Sequence, residues 1–274
     1  MRRAGLALSL GLATLACAHG EPDIAVLSSN SDQLIWESGQ KAFQKKQWEN
    51  ARKHFKRIID GFPQSEYGPA ARLNLADAYF QEGGSGSYIL AIASFREFLT
   101  LYPSHPRSDY AQFQIAEGYF LQRNKPDRDQ TNTEKALAEY QRLLEIYPAS
   151  PSVEKARVRI RACRRSLARA EFLAGYFYQR TRSAYRAAVS RYEGVLADYP
   201  DYEGLDEVLL RLGETLAGSG RTAEALPHLS RLIAEYPASK HVDDARKLVD
   251  ALKQSQTAPP PPPPPASPAP GPPG

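Results

Sequence analysis

Cysteine is nearly missing from this chain: Cys17 and Cys163 are the only two among 274 residues. So few thiols cannot build the multi-bridge framework of a small disulfide-stapled domain, and stability has to come from an ordinary buried core. Long apolar runs are missing too. The most apolar stretch, Ala4 to Ala16, is too short to span a bilayer, and no later window offers about 18 uncharged apolar residues. Charge of a single sign is also lacking, because 35 Lys and Arg stand against 31 Asp and Glu, and the net +4 falls to +2 without Arg2 and Arg3. Bases and acids alternate along the whole chain, so no basic stripe is left for counterion release, and nucleic acid is not an expected partner.

The usual catalytic constellations are absent as well. There is no phosphate-binding glycine loop, no HExxH pair and no CxxC, and Gly83 to Ser87 lacks the spacing of a nucleophile elbow. The five histidines, at 19, 54, 105, 228 and 241, share no ligand spacing, so neither a metal site nor a cofactor is expected. Asp127-Arg128-Asp129-Gln130-Thr131 is not a calcium loop: Asn132 stands at the glycine place and Ala138 at the glutamate place. Cys163 lies among Arg161, Arg164 and Arg165, which leaves two readings, an activated thiol or a packed spectator.

What is present begins with an address. Met1-Arg2-Arg3 is a basic start, Ala4 to Leu15 a short apolar segment, and Leu15-Ala16-Cys17 ends it with small residues before a cysteine. That order reads as a lipoprotein signal over residues 1–16, with Thr14 in place of the commoner leucine, and it makes Cys17 the expected lipidation site. Several acyl chains on one residue anchor far more firmly than one. Ala18, rather than aspartate, follows the cysteine and directs the expectation to the outer membrane, on its periplasmic face. Residues 17–30 then read as a tether.

The body of the chain repeats. Five segments end alike, at Phe62-Pro63, Tyr102-Pro103, Tyr147-Pro148, Tyr199-Pro200 and Tyr236-Pro237. Twelve residues before each proline stands Ala51, Ala91, Ala136, Ala188 or Ala225; eight before stands Phe55, Phe95, Tyr140, Tyr192 or Leu229. Five and four before, every residue is apolar, from Ile58 and Ile59 to Leu232 and Ile233. Such spacing is one face of a helix that the proline stops. Upstream, Gly39, Ala76, Ala116, Gly175 and Gly213 are the small residues of a partner helix, and Gly83 and Gly220 can supply turns. Ser65, Ser150 and Ser239, two residues past three of the prolines, are candidate N-caps.

Small residue, aromatic, alanine, aromatic and proline in that order form the tetratricopeptide (TPR) signature of a helix-turn-helix. The expected fold is therefore all-α, a solenoid of five irregular TPR hairpins over residues 31–252, with an N-terminal half at about 31–108 and a C-terminal half at about 109–252. Prolines are 40, 45, 52 and 37 residues apart, and the excess is expected in the Gly83–Ser87 turn, in Asn124 to Thr133, and in a lengthened helix between Val153 and Tyr178. TPR phase makes Trp36, Phe43, Phe80 and Phe120 candidates for a substrate groove on the first helices. Residues 253–274 read as a disordered tail whose run Pro259 to Pro265 adopts polyproline II.

The signal followed by five irregular repeats resembles the BamD family, TPR lipoproteins of the outer-membrane β-barrel assembly machinery. Asp127-Arg128-Asp129-Gln130, Arg169-Ala170-Glu171-Phe172 and Arg191-Tyr192-Glu193-Gly194 sharpen the likeness, while the proline-rich tail departs from it. The resemblance implies a non-enzymatic scaffold that binds the BamA periplasmic domain and unfolded outer-membrane β-barrel proteins, with other lipoproteins of the machinery as further partners. It also implies that Arg191 pairs with a BamA carboxylate and that Arg182 supplies a second contact, across a one-residue insertion. The alternative from a different class is an envelope adaptor, serving a pilus secretin or coordinating cell-wall synthesis.

Overall fold

A computed structural model describes residues 31–181 and 183–257. The signal peptide, Cys17, the tether and Arg182 lie outside the described residues, as does the tail from residue 258 onward. Among the described residues the chain forms helices and no strand. The first three hairpins pair α1 (Ser31–Gln44) with α2 (Trp48–Gly61), α3 (Gly68–Glu82) with α4 (Ser85–Leu101), and α5 (Ser108–Leu121) with α6 (Thr131–Ile146). Then α7 (Val153–Thr181) pairs with α8 (Tyr185–Asp198) and α9 (Leu205–Gly218) with α10 (Thr222–Glu235). An eleventh helix, α11 (Val242–Thr257), covers the last hairpin with Val242, Ala245 and Val249. It carries the folded chain five residues past the expected tail boundary at 253, because Leu252 still has an apolar floor to pack on.

Each helix packs mainly on its neighbours in sequence, which is how a solenoid buries a face that one hairpin cannot hide. The expected periodicity is realised in full. Ala51, Ala91, Ala136, Ala188 and Ala225 are completely buried, as are Phe55, Phe95, Tyr140, Tyr192 and Leu229 and the apolar residues at Ile58, Phe98, Leu143, Val195 and Leu232. The five terminator aromatics end their helices alike. Each N–H still reaches the carbonyl four residues back, but the following proline forces the residue out of helical geometry, with φ between −124° and −135°.

The serines after the prolines do something other than N-capping. Ser65 Oγ donates to Asp32 Oδ2, Ser150 Oγ to Asp109 Oδ2 and Ser239 Oγ to Asp206 Oδ2, each at 2.6 Å, while the same hydroxyl accepts the backbone N–H two residues on. Every one of those aspartates is the second residue of the preceding first helix. The pair ties the end of one hairpin to the start of the same hairpin across 33 or 41 residues. Where the turn carries His105 or Tyr202 instead, the matching helix position is Pro69 or Glu154, so the serine and the aspartate are replaced together.

Two of the expected length excesses fall where the spacing put them: helix α7 runs 29 residues, and the connection between α5 and α6 spans residues 122–130. The third falls elsewhere: only Gly83 and Gly84 form that turn, with φ of +76° and +82°, a region closed to most side chains, while Ser85, Gly86 and Ser87 already belong to α4, which runs 17 residues. Close approach of the paired helices needs a missing side chain. A Cβ on Gly175 would stand 2.7 Å from Tyr192 Cε1, and one on Gly39 or Gly213 would strike Phe55 or Leu229 at 2.7 and 2.5 Å.

These contacts decide a pair of substitutions. Glycine to alanine inside a helix ordinarily gains about 1 kcal/mol, but overpacking a rigid core costs about 1–3 kcal/mol. Tyr192 is fully buried and its hydroxyl is held by Gln179 at 2.8 Å, so it cannot retreat. Gly175→Ala should therefore lower stability, by about 1–2 kcal/mol in urea unfolding followed by circular dichroism. Gly194→Ala, where nothing stands within 4 Å, should raise it. Equal shifts in the two variants would refute the close-packing account.

Candidate functional site

Three of the four groove candidates are half-buried, and each rests on rings near its own hairpin. Trp36 stacks on Tyr67 at 5.5 Å and meets Phe55 at 5.7 Å; Phe43 sets an edge on Trp48 at 5.1 Å; Phe80 sets one on Tyr88 at 5.4 Å. Phe120 is a correction. It is only 3% exposed, with the Arg123 guanidinium 3.8 Å from its ring centre and that of Arg159 at 4.4 Å. Cation–π contact with two arginines has turned a surface candidate into core. Among the described residues no ring contact joins any two of the four, so they form separate footholds rather than one aromatic groove.

Beside them lie two buried carboxylates that periodicity did not reveal. Each stands one residue past a small first-helix position, Asp77 after Ala76 and Glu117 after Ala116. Asp77 Oδ1 accepts from the Tyr110 hydroxyl at 2.6 Å, and that hydroxyl accepts from Gln114 Nε2 at 2.8 Å. Burial pushes the Asp77 pKa up from 3.8 to about 6, partly offset by the Tyr110 hydrogen bond and by Arg107. Glu117 is fully engaged: Arg159 donates from Nε at 2.7 Å and from the terminal nitrogen at 3.1 Å, and the Tyr140 hydroxyl donates as well. That one carboxylate locks α5, α6 and α7 together. Cys163, buried nearby, has its thiol pushed up to about 11 by burial against the opposing pull of Arg123 and Arg159, so it is the packed spectator of the two readings.

The second candidate surface is on α8. Arg191 projects outward, and its Nη1 lies 2.7 Å from Glu171 Oε2 on α7, with the two side chains 46% and 36% exposed. Hydrogen bonding to Glu171 holds the arginine pKa above its ordinary value. Similar pairs cross the neighbouring joints: Arg164 forks onto Asp201, Arg165 meets Glu203 at 3.1 Å, and Arg169 meets Glu207 at 3.4 Å. Arg191 is thus already seated on a carboxylate. Arg182 and Cys17, the other expected site residues, lie outside the described residues.

Nested helical hairpins, each with a buried alanine and an aromatic–proline end, define the class: an all-α TPR solenoid. Residues 28–223 match the family described as YfiO, outer membrane lipoprotein, and the chain belongs to that family. Curated relatives named outer membrane protein assembly factor BamD include those of Caulobacter vibrioides and Haemophilus influenzae. The first is 27% identical over 80% of this chain and 70% of the relative, the second 26% identical over 92% and 91%. Among solved structures, the TPR2AB domain of yeast Sti1 in complex with pHSP90 covers 83% of this chain and all of that one at 15% identity, with a TM-score of 0.43. The family and the relatives support association with the outer membrane and a part in outer-membrane protein assembly.

Asp77 yields a test of the buried network. Its pKa is higher in the fold than in the open chain, so the folded state binds the extra proton between pH 3.8 and about 6. The stability it contributes is therefore complete below 3.8 and is lost as pH rises through 6. Asp77→Asn keeps an acceptor for Tyr110 but removes the titration. Urea melts should show a flatter pH dependence across that window and about 1–3 kcal/mol more stability near neutral pH. An unaltered slope would place the titration elsewhere.

Proposed function

We propose that this protein is a lipid-anchored, non-enzymatic scaffold for outer-membrane protein assembly, held by acyl chains on Cys17 and facing the periplasm. Its C-terminal half binds the periplasmic domain of BamA through Arg191, with Arg182 as a second contact, and its N-terminal half receives unfolded β-barrel proteins. The observation that carries the reading is the exposed Arg191–Glu171 pair. An exposed ion pair is worth only about 0–1 kcal/mol, so giving up Glu171 costs the fold little. A desolvated carboxylate across an interface gains several times more from the same guanidinium. The half-buried rings of Trp36, Phe43 and Phe80 suit the substrate role, since each leaves part of an aromatic surface open to an extended apolar chain. Phe120, closed over by two arginines, does not.

Arg191→Glu should abolish capture of the BamA periplasmic domain by the full chain while helicity by circular dichroism stays intact. Glu171→Gln should act in the opposite sense, strengthening capture about two- to fivefold by removing the internal competitor. Retained capture by Arg191→Glu would remove that residue from the interface. For the anchor, Cys17→Ser should move the protein from the membrane pellet to the soluble fraction of cell extracts; continued pelleting with extracted membranes would exclude lipidation there.

A further inference from the structure

The first half of α7 carries a surface that neither Arg191 nor the groove aromatics account for. Between Val153 and Ala170 this helix holds seven basic residues and one acid, Glu154. Ala156 and Cys163, with Ile160 beside them, face α5 and α6, whereas α8 covers the helix only from Ala168 onward, through Phe172 and Gly175. The helix therefore overshoots the hairpin that follows it, leaving its first turns with a bare outer side. Arg157, Arg161 and Arg165 stand on that side at successive fourth positions, a stripe about 12 Å long, with Val158 exposed to 55% among them.

The arginines of α7 differ in how they are occupied. Arg159, Arg164 and Arg169 are taken by Glu117, Asp201 and Glu207 from other elements, while Arg157 reaches Glu154 only at 3.4 Å with both side chains largely in water. Arg165 shares Glu203 in an equally open pair. Arg161 has no ion pair among the described residues. It lines a small cleft of about 50 Å³ with Arg164, Arg165, Tyr199, Asp201, Tyr202 and Glu203, where α7 passes the turn between α8 and α9.

We propose that this stripe and cleft dock an acidic helix of a protein partner, whose carboxylates at fourth-residue spacing face Arg157, Arg161 and Arg165. A guanidinium fork fits a carboxylate with two parallel hydrogen bonds, and the stripe repeats with helical spacing. Glu154, Asp201 and Glu203 lie beside Arg157, Arg164 and Arg165, so the surface is a set of separate cationic positions, which suits spaced carboxylates better than a continuous phosphate surface. Val158 and Tyr202 add the apolar contact that a protein helix, but not a phosphate backbone, can return. This inference is independent of the Arg191 reading.

The test uses the full lipidated chain in phosphatidylcholine nanodiscs and fluorescence anisotropy. The probe is a labelled alanine-rich helical peptide with glutamate at three successive fourth positions, beside its glutamine counterpart. The glutamate peptide should bind more tightly than the glutamine one and weaken as salt rises. The double variant Arg157→Glu with Arg161→Glu should weaken it about tenfold or more, Arg161→Gln should have a smaller effect, and Arg246→Glu on α11 none. Equal binding of the two peptides, or binding that survives the double reversal, would overturn the proposal. So would displacement of the peptide by phosphatidylglycerol vesicles as effective as by unlabelled peptide, which would make the stripe a lipid-headgroup site.

Discussion

The structure depends on one repeated contact: a large side chain from each second helix pressed onto a first-helix residue too small to hold it off. Phe55 on Gly39, Tyr192 on Gly175 and Leu229 on Gly213 show it without even a methyl between, and Phe95 and Tyr140 share their clusters with fully buried Ala76 and Ala116. Because that approach sets the distance between paired helices, it also fixes where every other side chain on them points. The invariant alanines, the terminator aromatics and the outward surfaces all follow from it. A solenoid has no central core to fall back on, so each such contact stabilises its own joint and the next.

Much of this could be read from residue types and spacing, because the apolar periodicity is the fold. Alanine, aromatic and proline recur at fixed intervals, and all ten alanine and large-apolar positions of the second helices came out fully buried. Polar pairing was the less legible part. Ser65, Ser150 and Ser239 stood at a capping distance from proline, yet their hydroxyls reach back to Asp32, Asp109 and Asp206, partners chosen by how a hairpin closes rather than by local sequence. Phe120 sat in the same phase as Phe43 and Phe80, but Arg123, just past the end of α5, and Arg159, in the second turn of α7, converge on it. Arg191 and Glu171 were both prominent as residues, though their pairing depends on the register between α7 and α8.

The doubled length of α7 links these observations. Its first half completes the third hairpin's core through Ala156 and Cys163, and its second half opens the fourth through Phe172 and Gly175. One unbroken helix of about 44 Å thus joins the third and fourth hairpins of the solenoid. Glu117 strengthens that union by binding Arg159 and Tyr140 at once, so a displacement of α7 would leave a buried carboxylate without its counter-charge. Such a loss costs far more than breaking an exposed pair.

The contrast between buried and exposed pairs separates contacts that hold the fold from contacts that a proposed partner could replace. Pairs whose carboxylate is buried, such as Glu117 with Arg159, cannot be traded without unfolding the joint they hold. Exposed pairs such as Arg191 with Glu171 and Arg165 with Glu203 hold their arginines in ordered positions, yet each is worth little in water. An incoming carboxylate that shields the guanidinium from solvent displaces the internal one at small cost, and the displaced acid returns to water. The internal acids therefore also set a threshold, because a weakly acidic or poorly fitting segment gains nothing over the contact already made. At the proposed docking sites, selectivity would come from that competition, with no need for movement of the helices beneath.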